Sequence, residues 1–309
     1  LTRGDKRRLR AERFEREAER SAAEKQACIA DVMRDTALAW LERYYAEAMS
    51  SVVAEQASEM KLEIEAAEAA YRGGRGSQAD VFVARSALAA IEDRRSDVDR
   101  RVAAARIMLA RWTRSDADLP LGTRPDIGRV ALDRAALDKD IVHHPQSQVL
   151  VREQELATTE ANLARAEKKA DWSVEFAYQR RGPAYSDMVS IGVSVPLQWN
   201  QRKRQDRELA AKLATVEEVN AEVEEGLRTH LAEVRLLLNE WDSNQVRIAR
   251  YERELLPLAQ ARTRASIAAY RGGKTGLADV LAARRDELDV RLQALQLESD
   301  TARLWAQLN

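Results

Sequence analysis

The feature that most constrains this chain is that it repeats itself. Residues 70–81 read Ala-Tyr-Arg-Gly-Gly-Arg-Gly-Ser-Gln-Ala-Asp-Val, residues 269–280 read Ala-Tyr-Arg-Gly-Gly-Lys-Thr-Gly-Leu-Ala-Asp-Val, and the two align without a gap. Self-similarity of this kind marks a duplicated structural unit. Each copy ends one long stretch suited to helix and precedes a second. Each long stretch begins just after a basic cluster: Lys6, Arg7 and Arg8 in one case, Arg202, Lys203 and Arg204 in the other. A tandem duplication of a helical hairpin is the organisation these facts predict.

No glycine or proline falls between Gly4 and Gly73, so a single helix can run there for about 100 Å. The counterpart, from Gln205 to Arg271, is interrupted only by Gly226 and Pro257. After each glycine turn a helix, 78–113 and 277–308, is expected to fold back antiparallel. Apolar residues recur at three-four spacing, as in Leu231, Val234, Leu237, Leu238 and Trp241, a stripe that reads as packing between helices. Composition agrees: 33% of residues are charged, 5% are aromatic, and there are only 12 glycines and 6 prolines, which suits long helices. The 50 basic and 51 acidic residues are interleaved, which argues against the clustered basic footprint of a nucleic-acid surface.

Residues 114–145 break the pattern with Asp116, Asp118, Pro120, Gly122, Pro125, Gly128 and Pro145, and short helices and loops are expected there. A helix over 146–169 follows. The chain thus divides into a first helical hairpin (1–113), a segment of short helices and loops with a connecting helix (114–170), a strand segment (171–198) and a second helical hairpin (199–309).

From Asp171 the period changes to two. Trp172, Val174, Phe176 and Tyr178 alternate with Ser173, Glu175, Ala177 and Gln179. After a turn-like run from Arg181 through Gly182, Pro183, Ala184, Tyr185 and Ser186 to Asp187, Val189, Ile191, Val193, Val195 and Leu197 alternate with Ser190, Gly192, Ser194 and Pro196. Two strands of about ten residues match the length and dyad pattern of transmembrane β-strands facing lipid. A hairpin packed on a soluble core would carry the same alternation. An isolated hairpin is marginal in water, however, and the chain offers no other convincing strand to pair with it. Copies from several protomers closing a barrel would satisfy its edges within a bilayer.

Chemistry-bearing patterns are few. Cys28 is the single cysteine, so a disulfide within the chain is excluded, and its setting in a helix interior reads as that of a small apolar residue. The histidines are His143, His144 and His230, without metal-ligand spacing to other candidates. The glycines at 73–76 have no preceding strand and so do not form a phosphate loop; a tight helical reversal explains them better. No catalytic residues, metal site or cofactor are expected, and no apolar run reaches the roughly 20 residues of a membrane-spanning helix. The start, Leu1 to Arg7, reads as that of a mature or trimmed chain.

A strand hairpin, a very long helix, a glycine tip and a returning helix, with Tyr-Arg-Gly-Gly-x-x-x-x-Ala-Asp-Val occurring twice, resembles the TolC family of outer-membrane efflux proteins. Gly4 to Arg8, His144 with Pro145, and the run Asp171–Leu197 resemble its CzcC-like heavy-metal subgroup. The family pattern has a first β-hairpin just before the position of Leu1, which this sequence lacks. The resemblance implies a mainly α fold in which coiled helical hairpins form a periplasmic tunnel and β-hairpins a transmembrane barrel. It further implies a homotrimer in the outer membrane of a Gram-negative bacterium, served by a periplasmic adaptor and an inner-membrane pump of the RND type. The duct would be a passive exit conduit for metal cations or small toxic compounds, not an enzyme. The competing reading is a scaffolding coiled-coil protein without a transport role.

Asp80 and Asp279 recur just past the two tips. Each reads either as a helix N-terminal acid stabilised by the dipole or, by the resemblance, as part of a pore constriction favouring cations. Ala282 stands where the family can carry a second constriction acid, and Thr275 where an arginine can occur. Tyr270 matches a tyrosine that in similar proteins ties the second hairpin to the first, with Asp80 at the partner position. Gly73, Gly74, Gly272 and Gly273 are the expected adaptor-docking tips.

Overall fold

The computed structural model describes residues 3–114, 119–180, 182–183, 186–196 and 199–309. Asp116, Asp118, Arg181, Ala184, Tyr185 and Leu197, all used in the sequence reading, lie outside the described residues. In chain order the elements are α1 (Gly4–Arg72), α2 (Gln78–Thr113), α3 (Leu137–Asp140), a 3-10 turn (Ile141–His143), α4 (Pro145–Glu167), β1 (Ser173–Gln179), β2 (Met188–Ser194), α5 (Gln205–Arg250), a π turn (Tyr251–Leu255), α6 (Leu256–Arg271) and α7 (Leu277–Leu308). The fold is mainly α, with long antiparallel helices and a two-stranded sheet.

The chain divides into two compact units, each discontinuous in sequence. One comprises Leu1–Ala30 and Asp133–Glu233, the other Asp31–Leu132 and Val234–Asn309. In the first, α4 packs on α5 through Ala157, Val219 and Val223, with Leu150, Val216 and Leu227 beside them. Gly226 was expected to interrupt the long helix, yet α5 runs through it. A Cβ there would lie 2.6 Å from Leu150 Cδ1, so the missing side chain lets α4 approach closely. Cys28 lies on α1 as expected but faces outward, not into a core.

In the second unit α1 and α2 are antiparallel. Arg85 pairs with Glu68 at 2.7 Å and Arg106 with Glu47 at 3.0 Å, the partners receding on one helix as they advance on the other. The α6–α7 pair repeats the arrangement, with Arg262 on Asp286 at 2.9 Å and Tyr251 donating to Gln293 at 3.2 Å. Among the described residues, apolar clusters bind the helices. One surrounds the tips; one is formed by Met49, Val53, Val98 and Leu288; one by Leu41, Tyr45, Ile127, Ala302 and Ala306. The irregular stretch before residue 132 is held by side chains that donate to its carbonyls. Trp241 and Gln245 reach Ile127 at 3.2 and 2.8 Å, Trp305 reaches Arg129 at 2.8 Å and Arg43 reaches Leu119 at 2.8 Å. An irregular backbone segment stays ordered only if such groups find partners.

Of the two interruptions expected in the second long helix, the one at Gly226 is absent and the one at Pro257 is present, as a π turn just before the proline in which the Leu256 amide donates to Tyr251 O. Proline lacks an N–H, and its ring excludes the carbonyl four residues back, so the turn before it widens.

Candidate functional site

The two tips share one backbone solution. At the end of α1 the Gly74 amide donates to Tyr71 O at 3.0 Å and the Arg75 amide to Ala70 O at 2.9 Å. At the end of α6 the Gly273 amide donates to Tyr270 O at 2.9 Å and the Lys274 amide to Ala269 O at 2.9 Å. This is the Schellman pattern of helix termination, which places one residue in the left-handed region. That residue is Gly74 at φ 69° and Gly273 at φ 68°, so the second glycine of each tip is conformationally required. Gly73 and Gly272 have no such φ; a Cβ at Gly73 would meet Ala69 O at 3.3 Å, one at Gly272 would find ordinary contacts. Arg72, Arg75, Arg271 and Lys274 are all exposed beside the glycines, so both tips present positive charge.

Beyond the turns the copies diverge. Ser77 caps α2: its hydroxyl accepts from the Asp80 amide at 3.1 Å, while the Ser77 amide and hydroxyl donate to the Asp80 carboxylate at 2.9 and 2.7 Å. This is a reciprocal capping box. The hydrogen bonds from Ser77, backbone first, hold the Asp80 carboxyl below the usual carboxylate range. At the second tip the cap position is Gly276, which has no side chain to offer. Thr275, one residue earlier, donates to the Asp279 carboxylate instead. Asp80 and Asp279 therefore both occupy the first turn of a helix, Asp279 exposed and Asp80 half-buried.

The tie expected between Tyr270 and Asp80 is not made by a hydrogen bond among the described residues. Among the described residues Asp80 is satisfied by Ser77, a local partner that costs no chain ordering, and Tyr270 lies against an apolar cluster. That cluster draws Met60 and Ala67 from α1, Val81 and Ala84 from α2, and Leu277, Val280 and Leu281 from α7, so it joins the two hairpins behind their tips. A second tie went unread in the sequence. Arg284 on α7, its side chain 14% exposed, donates to Glu63 at 2.9 Å and also to Glu59, one turn apart on α1. Arg291 meets Glu55 on the same helix face at 2.6 Å. The signal was there as acidic residues at helical spacing, but nothing local says which helix they meet.

The strand segment forms the antiparallel pair β1–β2, with Val174 opposite Val193, Phe176 opposite Ile191 and Tyr178 opposite Val189. The paired strands span seven residues each, shorter than the ten or so expected. Pairing stops at Ser173 and Ser194, where Pro196 has no N–H to continue the ladder. Trp172 and Val195 nonetheless extend the alternation, and the apolar face is open: Phe176 is 68%, Ile191 71% and Val193 66% exposed. Among the described residues no helix is long and apolar enough to cross a membrane.

His144 lies against His230 with ring centroids 4.6 Å apart, and His143 is exposed. No group of three or more His, Cys, Asp or Glu among the described residues is arranged to hold a metal ion.

Comparison with known proteins places the architecture. No family model and no curated protein matches the chain by sequence. Solved structures match it closely. The outer-membrane channel OprN superposes with a TM-score of 0.84 at 18% identity, covering 98% of this chain and 70% of that one. VceC, an outer-membrane protein of Vibrio cholerae, gives 0.82 at 20% identity over 98% and 74%. CusC, described in terms of folding and transmembrane channel formation, gives 0.84 at 16% identity over 96% and 73%. The chain has the fold of the TolC-like outer-membrane efflux channels.

Proposed function

We propose that this chain is the protomer of an outer-membrane efflux duct, a passive conduit that performs no chemistry. The observation that carries the reading is the open apolar face of β1–β2. Val174, Phe176, Tyr178, Val189, Ile191 and Val193 are each about half exposed or more, in a chain whose other aromatic residues mostly pack. Burying such a face is worth about 25 cal/mol per Å², and a lone hairpin in water forgoes it. Lipid on that face and neighbouring protomers at the strand edges supply what is missing. The fold shared with OprN and VceC supports the same assignment.

In this reading three protomers close the barrel and the tunnel, and the protein extends from the outer membrane into the periplasm. The positively charged glycine tips at Gly73 and Gly74 and at Gly272 and Gly273 meet a periplasmic adaptor, which connects the duct to an inner-membrane pump of the RND type. Asp279, exposed at the start of α7, contributes to a constriction that holds cations, with Asp80 held in its capping box beside it in role. Tyr270 acts in closure through its packing on the tip cluster. Metal cations or small toxic compounds are the cargo.

Sedimentation of the full-length protein in detergent tests the duct. A trimer that needs detergent supports it; a water-soluble monomer overturns it in favour of a scaffolding coiled coil. For the constriction, Asp279→Ala should weaken cation block of conductance in a planar bilayer while trimer assembly is kept, and unchanged block would remove Asp279 from the role.

A further inference from the structure

The chain is nearly neutral overall, with 50 basic and 51 acidic residues, yet its positive charge is not evenly spread. Three segments, 3–10, 165–171 and 199–208, together carry twelve Arg and Lys against five Asp and Glu. The fold brings them to one place. Lys6, buried to 4% exposure, donates to Lys169 O at 2.6 Å and pairs with Asp171 at 3.1 Å. Gln201 donates to Lys168 O at 2.5 Å, and Lys168 pairs with Asp206 at 2.7 Å. The few acids are thereby committed: Asp5 and Asp206 lie in the first turns of α1 and α5, and Asp171 holds Lys6. Arg7, Arg8, Arg202, Lys203 and Arg207 are exposed, and none of them is ion-paired with a described residue.

This collar lies at the open end of the β-hairpin, where β1 begins at Ser173 and β2 ends at Ser194. Two tryptophans flank the same end, Trp172 at 46% and Trp199 at 88% exposure. Indole rings favour the depth of lipid headgroups, where one edge is apolar and the other wet. Unpaired Arg and Lys at that depth attract anionic headgroups, each being worth about a five-fold gain in partitioning.

We propose that the collar binds the phosphate headgroups of anionic phospholipid in the leaflet on the helical side of the hairpin, with Trp172 and Trp199 fixing the depth. The proposal rests on the membrane reading of β1–β2, and its test separates the two. The full-length protein is reconstituted into vesicles of phosphatidylcholine and phosphatidylglycerol, with bromine on the acyl chains of one lipid at a time. Tryptophan emission is compared with that of a W172F/W199F variant to isolate the two flanking rings. Brominated phosphatidylglycerol should quench them several-fold more than brominated phosphatidylcholine at equal mole fraction. R7Q/R8Q/R202Q/K203Q should bring the ratio to unity and leave quenching by phosphatidylcholine intact, while R7K/R8K/R202K should keep it. Equal quenching by both lipids in the unaltered protein overturns the collar and leaves the membrane reading standing. No quenching by either overturns both. Loss of the preference on adding inorganic phosphate would make the cluster a site for soluble anions and overturn its assignment to lipid.

Discussion

The two tips are copies of one sequence, and they show how far duplication fixes structure. Their backbones share the two closing bonds, from the amide of the second glycine to the carbonyl three residues back and from the next amide to the carbonyl five back, and the first tip adds the Gly76 amide donating to Ala70 O at 3.1 Å. Their caps differ. The first tip closes with the reciprocal Ser77–Asp80 box; the second has Gly276 at the cap and relies on Thr275 reaching Asp279. What survived is the element with a steric requirement, a left-handed residue that glycine alone adopts without strain. What drifted is a side-chain bond worth about 1 kcal/mol, which a helix held by tertiary packing can lose. The first tip should therefore be the stiffer of the two, and hydrogen exchange at the amides of each turn measures the difference directly.

The largest expected effect treats both tips alike. Gly74→Val and Gly273→Val force a β-branched residue into the left-handed region, and each should cost about 2 kcal/mol of local stability. Space is not the obstacle, since a Cβ at either position meets nothing within 4 Å. Gly74→Asn and Gly273→Asn should accordingly recover most of the loss, because asparagine tolerates this conformation. If valine were harmless at one tip only, that turn would not have the Schellman geometry, and the comparison would fail at its base.

Next comes the cap itself. Ser77→Ala removes the acceptor of the Asp80 amide and one donor to the Asp80 carboxylate, at an expected cost of about 1 kcal/mol. Thr275→Ala removes a bond that satisfies no helix amide and should cost less than half as much. Equal losses, measured as exchange rates in the first turns of α2 and α7, would show that the caps are equivalent in spite of their chemistry.

The converse substitution is smaller and in the stabilising direction. Gly276 has φ −83° and ψ 164°, already the extended conformation of a capping residue, and a Cβ there meets nothing within 4 Å. Gly276→Ser should gain a few tenths of a kcal/mol and slow exchange in the first turn of α7, making the second tip like the first. A loss of protection would mean that the Thr275–Asp279 bond excludes a serine cap.

Much of this was legible because the deciding constraints are local. An uninterrupted run from Gly4 to Gly73 leaves a helix no reason to stop, and the returning helices at 78–113 and 277–308 coincide with α2 and α7. The alternation from Trp172 to Val195 carried the strand pair in its register of like with like. What was not legible depends on partners far along the chain. Gly226 looked like a break because its reason, Leu150 on α4, lies outside any local window. Tyr270 and Asp80 were joined by resemblance, while the structure gives Asp80 a nearer partner and ties the hairpins through the tip cluster and Arg284. Two basic clusters of the collar, Lys6 to Arg8 and Arg202 to Arg204, were plain in the sequence, but only the fold shows that they meet around Lys168 and Lys169.

The smallest effect expected is one of pH, and it belongs to the first tip. The Asp80 carboxyl is held below its ordinary value of 3.8 by hydrogen bonds from the Ser77 amide and hydroxyl. A carboxyl depressed in the folded state stabilises that state fully above the unfolded value. The contribution is lost as pH falls through the lower, folded value, because protonation removes the acceptor that both Ser77 donors use. Protection at the first turn of α2 should thus be flat from neutrality down to about pH 4 and decline below it. The group is half-exposed, so solvent screens the interaction and the decline should be modest. Ser77→Ala removes one of the two donors and should shrink the acid-dependent part without abolishing it. An acid response of the same size in Ser77→Ala and in the unaltered protein would assign the depression to the backbone amide alone, leaving the hydroxyl no part in holding the charge.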